Sequence, residues 1–118
     1  MTGLRVALIA SARHPIREPF AGGLEAQTWT LADGLRRRGH EVTLFAGPGS
    51  DAALGVAELP VRRIEISEQA RGDVSMPTES FLAEHHAYLG LMLDLAATTD
   101  FDVVHNNSLH TCRSRWPG

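Results

Sequence analysis

The run Gly23-Leu-Glu-Ala-Gln-Thr-Trp-Thr-Leu-Ala-Asp-Gly-Leu-Arg-Arg-Arg38, then Gly39, then His40-Glu-Val-Thr-Leu-Phe-Ala46, decides how this chain is read. Leu24, Thr28, Leu31 and Leu35 fall at the i, i+4, i+7, i+11 spacing of one helical face, which predicts a helix from Gly23 or Leu24 to Arg38. Arg36, Arg37 and Arg38 place cations in its last turn, where unpaired carbonyls collect. Gly39 supplies the left-handed residue that commonly ends a helix. His40–Ala46 is rich in β-branched and large apolar residues and is closed by Gly47-Pro48-Gly49, so it reads as a strand.

Working upstream, Leu4-Arg-Val-Ala-Leu-Ile-Ala10 is a nearly continuous apolar run, as expected of a strand buried on both faces of a parallel sheet. Ser11 to Gly22 holds Pro15, Pro19 and the Gly22-Gly23 pair at its end, and is read as a long irregular loop. Strand, helix and strand then form a unit whose two strands run parallel. Downstream, a loop containing Ala52 to Pro60 precedes a third strand expected at Val61–Ile66. Phe81, His85, Tyr88, Leu89, Met92, Leu95 and Ala96 mark a second apolar helical face between Thr78 and Thr98, with Ser75 as its expected N-cap. Phe101-Asp-Val-Val-His105 is the fourth strand. The order βαββαβ predicts an α/β, Rossmann-like parallel sheet.

Composition narrows the class further. With 118 residues, 43% hydrophobic and 21% charged, the chain fits one domain with a real core. A net charge of -3 provides no broad basic field for nucleic acid or an anionic membrane, and neither is an expected partner. No stretch approaches the ~20 apolar residues of a transmembrane segment. Val6–Ala10 is too short for a secretion-signal core and runs on to Arg13. The single Cys112 cannot form an internal disulfide, and the expected location is cytoplasmic. Every basic residue apart from histidine is Arg, and Ala, Gly and Pro are plentiful, which suggests a GC-rich gene.

In an open parallel sheet, ligands collect beyond the carboxyl ends of the strands. Gly22 and Gly23, just before a helix, could pass close to a ligand and offer unpaired N–H groups to a phosphate; a tight helix start is the alternative reading. No G-x-G-x-x-G follows the first strand and no G-x-x-x-x-G-K-[ST] occurs, which removes the main signatures of dinucleotide dehydrogenases and P-loop nucleotidases. His105, Asn106, Asn107 and Ser108 offer donors and acceptors suited to hydroxyl-rich molecules, although His105 could equally be a half-buried structural histidine. His85 and His86 are adjacent on a helix, point apart and are read as structural. His14, His40 and His110 lack a Cys, Asp or His at ligand spacing, so no metal site is expected. No Ser, His, Asp constellation is arguable either.

Four segments, Leu4-Arg-Val-Ala-Leu-Ile-Ala, Gly22-Gly-Leu-Glu, Leu31-Ala-Asp-Gly-Leu-Arg-Arg-Arg-Gly-His-Glu-Val-Thr-Leu-Phe and Phe101-Asp-Val-Val-His-Asn-Asn-Ser-Leu-His, together resemble family 4 glycosyltransferases. The similarity spans Leu4 to His110 and is strongest from Gly22 to Ala46. The resemblance implies the GT-B architecture of two Rossmann-like domains facing across a cleft, of which this chain is the incomplete N-terminal half. It also implies sugar transfer from a nucleotide diphosphate sugar to an acceptor, with retention of configuration and without a bound metal or other cofactor. By that resemblance, Gly22 and Gly23 approach the donor diphosphate or the transferred sugar, and His105, Asn106 and Asn107 line the cleft floor. Many relatives carry H-x-H after this strand; here the second position is Asn107, which cannot exchange a proton at neutral pH, so the catalytic residues stay unknown.

Residues 1–110 are therefore expected to be a partial Rossmann-like, acceptor-side domain, incompetent for turnover alone. The alternative is a Rossmann-type binding module, or a subunit of a split enzyme without activity of its own. Residues 111–118, Thr-Cys-Arg-Ser-Arg-Trp-Pro-Gly, look unlike the apolar helix start expected there. With codons ACC TGC CGG TCG CGC TGG CCG GGN, a frame moved back one nucleotide reads Leu-Pro-Val-Ala-Leu-Ala-Gly after a His or Tyr. A frameshift after His110 is the expectation, with an exposed tail as the alternative. A sheet ended at the fourth strand should also expose an edge and favour poor solubility.

Overall fold

In the computed structural model, which describes residues 3–110, strand β1 (Arg5–Ala10) occupies the interior of a four-stranded sheet. It pairs in parallel with β2 (Glu41–Ala46) on one side and β4 (Val103–Asn107) on the other, and β3 (Val56–Glu58) extends the sheet beyond β2, also in parallel. The order is β3-β2-β1-β4, the Rossmann-like arrangement expected from the sequence. Helix α1 (Gly23–Arg37) joins β1 to β2, while the short α2 (Glu68–Arg71) and the long α3 (Glu79–Ala96) lie between β3 and β4.

The continuous apolar run of β1 is explained by two cores, one on each face. Val6, Leu8 and Ala10 join Val42, Leu44, Ala46 and Ala32 of α1, with Leu31 and Leu35 packed against them. Ala7 and Ile9 point the other way, into Tyr88, Met92 and Leu95 of α3, with Phe45 and Phe101 at the margin. Only a strand covered on both sides needs apolar residues at every position.

Helix α1 ends as its sequence predicts. Gly39 takes φ 88°, its N–H donates to Arg36 O at 3.0 Å, and His40 N–H donates to Leu35 O at 3.1 Å. This pair of bonds is a Schellman closure, which satisfies carbonyls the helix leaves open. His40 itself stands outside β2 and accepts the Leu4 N–H at its Nδ1.

Three boundaries differ from the sequence reading. The third strand is Val56–Glu58, not Val61–Ile66. It pairs with Leu44–Ala46, the last residues of β2, and Leu59 N–H still donates to Ala46 O at 2.8 Å. Beyond Leu59 there is no β2 backbone left to pair with, and Pro60 has no N–H to offer. Gly55 makes the early pairing possible: it turns the chain at φ 69°, and a Cβ there would lie 2.6 Å from Val42 O. The N-cap of α3 is Thr78, whose Oγ1 accepts the Phe81 N–H, rather than Ser75. Pro77 keeps Met76 out of helical conformation, so the helix begins after the proline. Ser75 instead closes a turn on Asp73, whose carboxyl is held below the usual range by the Ser75 hydroxyl and N–H.

The fourth strand begins and ends later than the expected Phe101–His105. Asp102 anchors its start: its carboxylate accepts the Arg5 N–H at 2.8 Å, and its own N–H donates to Arg5 O. The same carboxylate meets the Arg5 guanidinium at 3.2 Å, which lowers the Asp102 pKa and raises that of Arg5. With Val6 opposite Val103, the register carries β4 through Asn107, opposite Ala10. Asn106 and Asn107 are therefore strand residues on opposite faces, not loop residues after the strand. The expected edge is present, since Val103 and Val104 are 39% and 40% exposed.

Candidate functional site at the carboxyl rim of the sheet

Parallel strands end at one rim, and here that rim gathers the start of α1, the loop after β1 and the last residues of β4. The link between them is direct. Asn107 Nδ2 donates to Thr28 Oγ1 at 2.8 Å, and that hydroxyl in turn donates to Leu24 O at 2.8 Å within the first turns of α1. Thr28 is fully buried, so the end of β4 is fastened to the start of α1 inside the molecule. The glycine pair and Asn107, far apart in sequence, therefore share one rim.

Gly22 is the N-cap of α1 and has extended backbone, φ -168° and ψ -174°, which any residue can adopt. Backbone freedom is thus not what requires glycine here. A Cβ on Gly23 would meet nothing within 4 Å, and one on Gly22 would meet only the Glu25 carboxylate at 3.3 Å. Gly23 thus leaves open space at the positive end of a helix, while Gly22 is crowded by Glu25. Glu25, itself buried in the first turn, sets a negative charge beside that end.

The three residues of β4 have different fates. His105 pairs with Leu8 in register, lies exposed, and makes no side-chain hydrogen bond among the described residues. Asn106 faces α3, and its amide is fully engaged. Its Nδ2 donates to Tyr88 Oη at 3.1 Å and to His110 O at 2.8 Å, while its Oδ1 accepts from Ser108 N and Oγ. An asparagine amide has two donor hydrogens and two acceptor lone pairs, so this inventory is filled. Asn107 uses one amide hydrogen on Thr28 and is half-buried.

Two clefts open on the rim, one on each side of the loop after β1. One, of about 430 Å³, is lined by Arg17, Glu18, Trp29, Ser50 and Asp51. The other, of about 360 Å³, lies between Ala12, Val61–Ile64 and the first turns of α3, with Glu79, Ser80 and Glu84 on its wall. Beside this second cleft sits a cluster that residue spacing did not reveal. His110, which the sequence reading left without partners, is 3% exposed; its Nδ1 lies 3.0 Å from His85 Nδ1 and its Nε2 3.8 Å from Glu84 Oε2. Arg13 Nε stands 3.8 Å from the same carboxylate oxygen. Burial first, then the charges of His85 and Arg13, push the His110 imidazole below its usual pKa. No linear signal could have joined these residues, because α3 and the residues after β4 come together only once both have packed on the sheet. Among the described residues, no group of three or more His, Cys, Asp or Glu is placed to hold a metal ion.

Residues 21–117 match the family model described as Glycosyltransferase Family 4, a span of more than half the chain. The chain belongs to glycosyltransferase family 4. No curated protein and no solved structure matches it. Within this family 4 domain, the matched span begins immediately before Gly22 and takes in α1, the whole sheet apart from β1, and Glu84, His85 and His110 of the cluster. It continues to residue 117, through most of the tail whose reading as a frameshifted segment concerns residues outside the described ones. No helix among the described residues is long and apolar enough to cross a membrane.

Proposed function

We propose that this family 4 domain is the acceptor-side half of a retaining glycosyltransferase that draws on a nucleotide diphosphate sugar. One observation carries the reading: the Asn107 to Thr28 hydrogen bond, 2.8 Å long, fixes the end of β4 against the start of α1 at the carboxyl rim. At such a rim, the helix N-terminus faces the ligand with unpaired N–H groups and favours negative charge. The open space over Gly23 would admit the donor diphosphate or the transferred sugar. His105 and Asn107 offer hydrogen bonds to hydroxyls from the cleft floor, and Asn106 fixes the shape of that floor through its filled amide. Transfer requires electrostatic stabilisation of the departing diphosphate, which on this reading comes from a second domain facing the rim.

Titrating UDP-glucose or GDP-mannose into the isotopically labelled chain tests this. Amide shifts at Gly22, Gly23 and His105, localised to the rim, are expected. Shifts elsewhere only, or none at millimolar ligand, would leave a Rossmann-type binding module as the better reading.

A further inference from the structure

The histidine pair beside the rim has a property that depends on no substrate. Two imidazole nitrogens 3.0 Å apart form a hydrogen bond only if one of them carries a proton and the other does not. Glu84 decides which. Its Oε2 lies 3.8 Å from His110 Nε2, and a carboxylate there favours a hydrogen on Nε2. Neutral His110 with Nε2–H has a bare Nδ1, which accepts from Nδ1–H of His85. The chain of polarity is therefore Glu84, His110, His85.

Protonation acts on this pair in two steps. A first proton on His85 Nε2 leaves its Nδ1–H donating to His110 and strengthens that bond. A second proton, on His110 Nδ1, places two N–H groups and two positive charges face to face and destroys it. We propose that His85 and His110 form a one-proton latch, which holds the Ser108–His110 turn against α3 and releases it when His110 takes up a proton.

The charged and titratable groups facing His110 come from each neighbouring element. They are Glu84, His85 and Tyr88 on α3 and Arg13 in the loop after β1, while β4 contributes the neutral Asn106. Glu84 would favour the charged imidazole, but Arg13 competes for the same oxygen at the same 3.8 Å. The remaining influences, burial and the His85 and Arg13 charges, oppose protonation and agree with the depressed pKa of His110. What the latch holds is definite. His110 O accepts from Asn106 Nδ2 at 2.8 Å, and His110 packs between Phe81 and Tyr88 with ring centroids 4.9 and 5.6 Å away. Among the described residues, Glu84 Oε2 and His110 Nε2 are buried without a hydrogen bond, so the contact with His85 is the hydrogen bond made by the His110 ring.

The test is amide hydrogen exchange and imidazole ¹⁵N shifts across pH on the full chain, comparing wild type with His85→Gln. At neutral pH the wild type should show Nδ1–H on His85 and Nε2–H on His110. Below the usual imidazole range, opening at Ser108–His110 should rise by about tenfold per pH unit, the slope for uptake of one proton, while β1 and β4 stay protected. A glutamine amide can turn to donate to neutral or accept from charged His110, so His85→Gln should flatten that slope. An Nδ1–H tautomer at His110 in neutral solution, an unchanged slope in the variant, or opening of β1 at the same pH would each overturn the proposal. The tautomer measurement needs only the wild type and decides the matter even if the variant does not fold.

Discussion

On the α1 face of the sheet, Leu8, Leu44 and Thr28 are completely enclosed, and the helix leaves through a closed Schellman turn. Along β4, both valines remain about two-fifths exposed, and the neighbouring α3 leaves Leu93 74% exposed. The two regions are held together by different means. The first depends on apolar burial and would survive many polar changes; the second adds to the smaller core of Ile9, Met92 and Leu95 the directional bonds of Asp102, Asn106, Asn107 and two histidines. Directional bonds place side chains accurately but contribute modestly to stability, because they replace bonds to water. The rim is thus shaped by the weaker half of the molecule and supported by the stronger.

The sharpest break of that contrast is Leu8→Ala, expected to lower unfolding free energy by about 2–5 kcal/mol in a denaturant melt, against under about 1 kcal/mol for the exposed Val104→Ala. Equal effects would show that β4 carries core energy after all. Gly55→Ala comes next, with an expected loss of about 1–3 kcal/mol, because the added methyl meets Val42 O while the backbone keeps a positive φ. A neutral result would mean that the turn into β3 relaxes freely. Asn107→Ala removes one hydrogen bond to a buried hydroxyl and should cost about 0.5–1.5 kcal/mol, with amide shifts reaching the start of α1. Shifts confined to β4 would argue that the two rim segments are not coupled.

Acid sharpens the same comparison. His110 has a depressed pKa in the folded chain, so the unfolded chain binds more protons below the usual imidazole value of about 6.5. Its contribution is whole above that value and is lost as pH falls toward the folded pKa. Stability measured from neutral to mildly acid pH should therefore decline, and less steeply in His110→Gln. The smallest expected change is Gly23→Ala. Its methyl enters open space on a helix, so stability should stay level or rise by up to about 1 kcal/mol, while rim shifts on adding UDP-glucose are lost. Retained shifts would separate the glycine pair from the ligand.

Much of the fold was legible because it is written in local patterns. The period of Leu24, Thr28, Leu31 and Leu35, the arginines before Gly39 and the unbroken apolar run of β1 each report short-range physics. The third strand was misread for a reason of the opposite kind. Val61–Ile66 has a good strand pattern, but pairing stops where β2 stops, and the length of a neighbouring strand is not encoded in the segment itself. Of the candidate site, Gly22, Gly23, His105, Asn106 and Asn107 could be nominated from residue type and placement, and the fold brings Asn107 to α1 through Thr28. The filled amide of Asn106 and the Glu84, His110, His85 chain could not be read that way.

By itself the sequence determined the α/β class and the helix and strand of residues 23–46, and it nominated the glycines, histidine and asparagines of the candidate site. Only the tertiary structure decided the strand register, the opposite faces of Asn106 and Asn107 and the meeting of His85 with His110. The physical reason is that periodicity and capping act within a few residues, whereas register and side-chain encounters depend on which backbones run out, and where, once the sheet has closed.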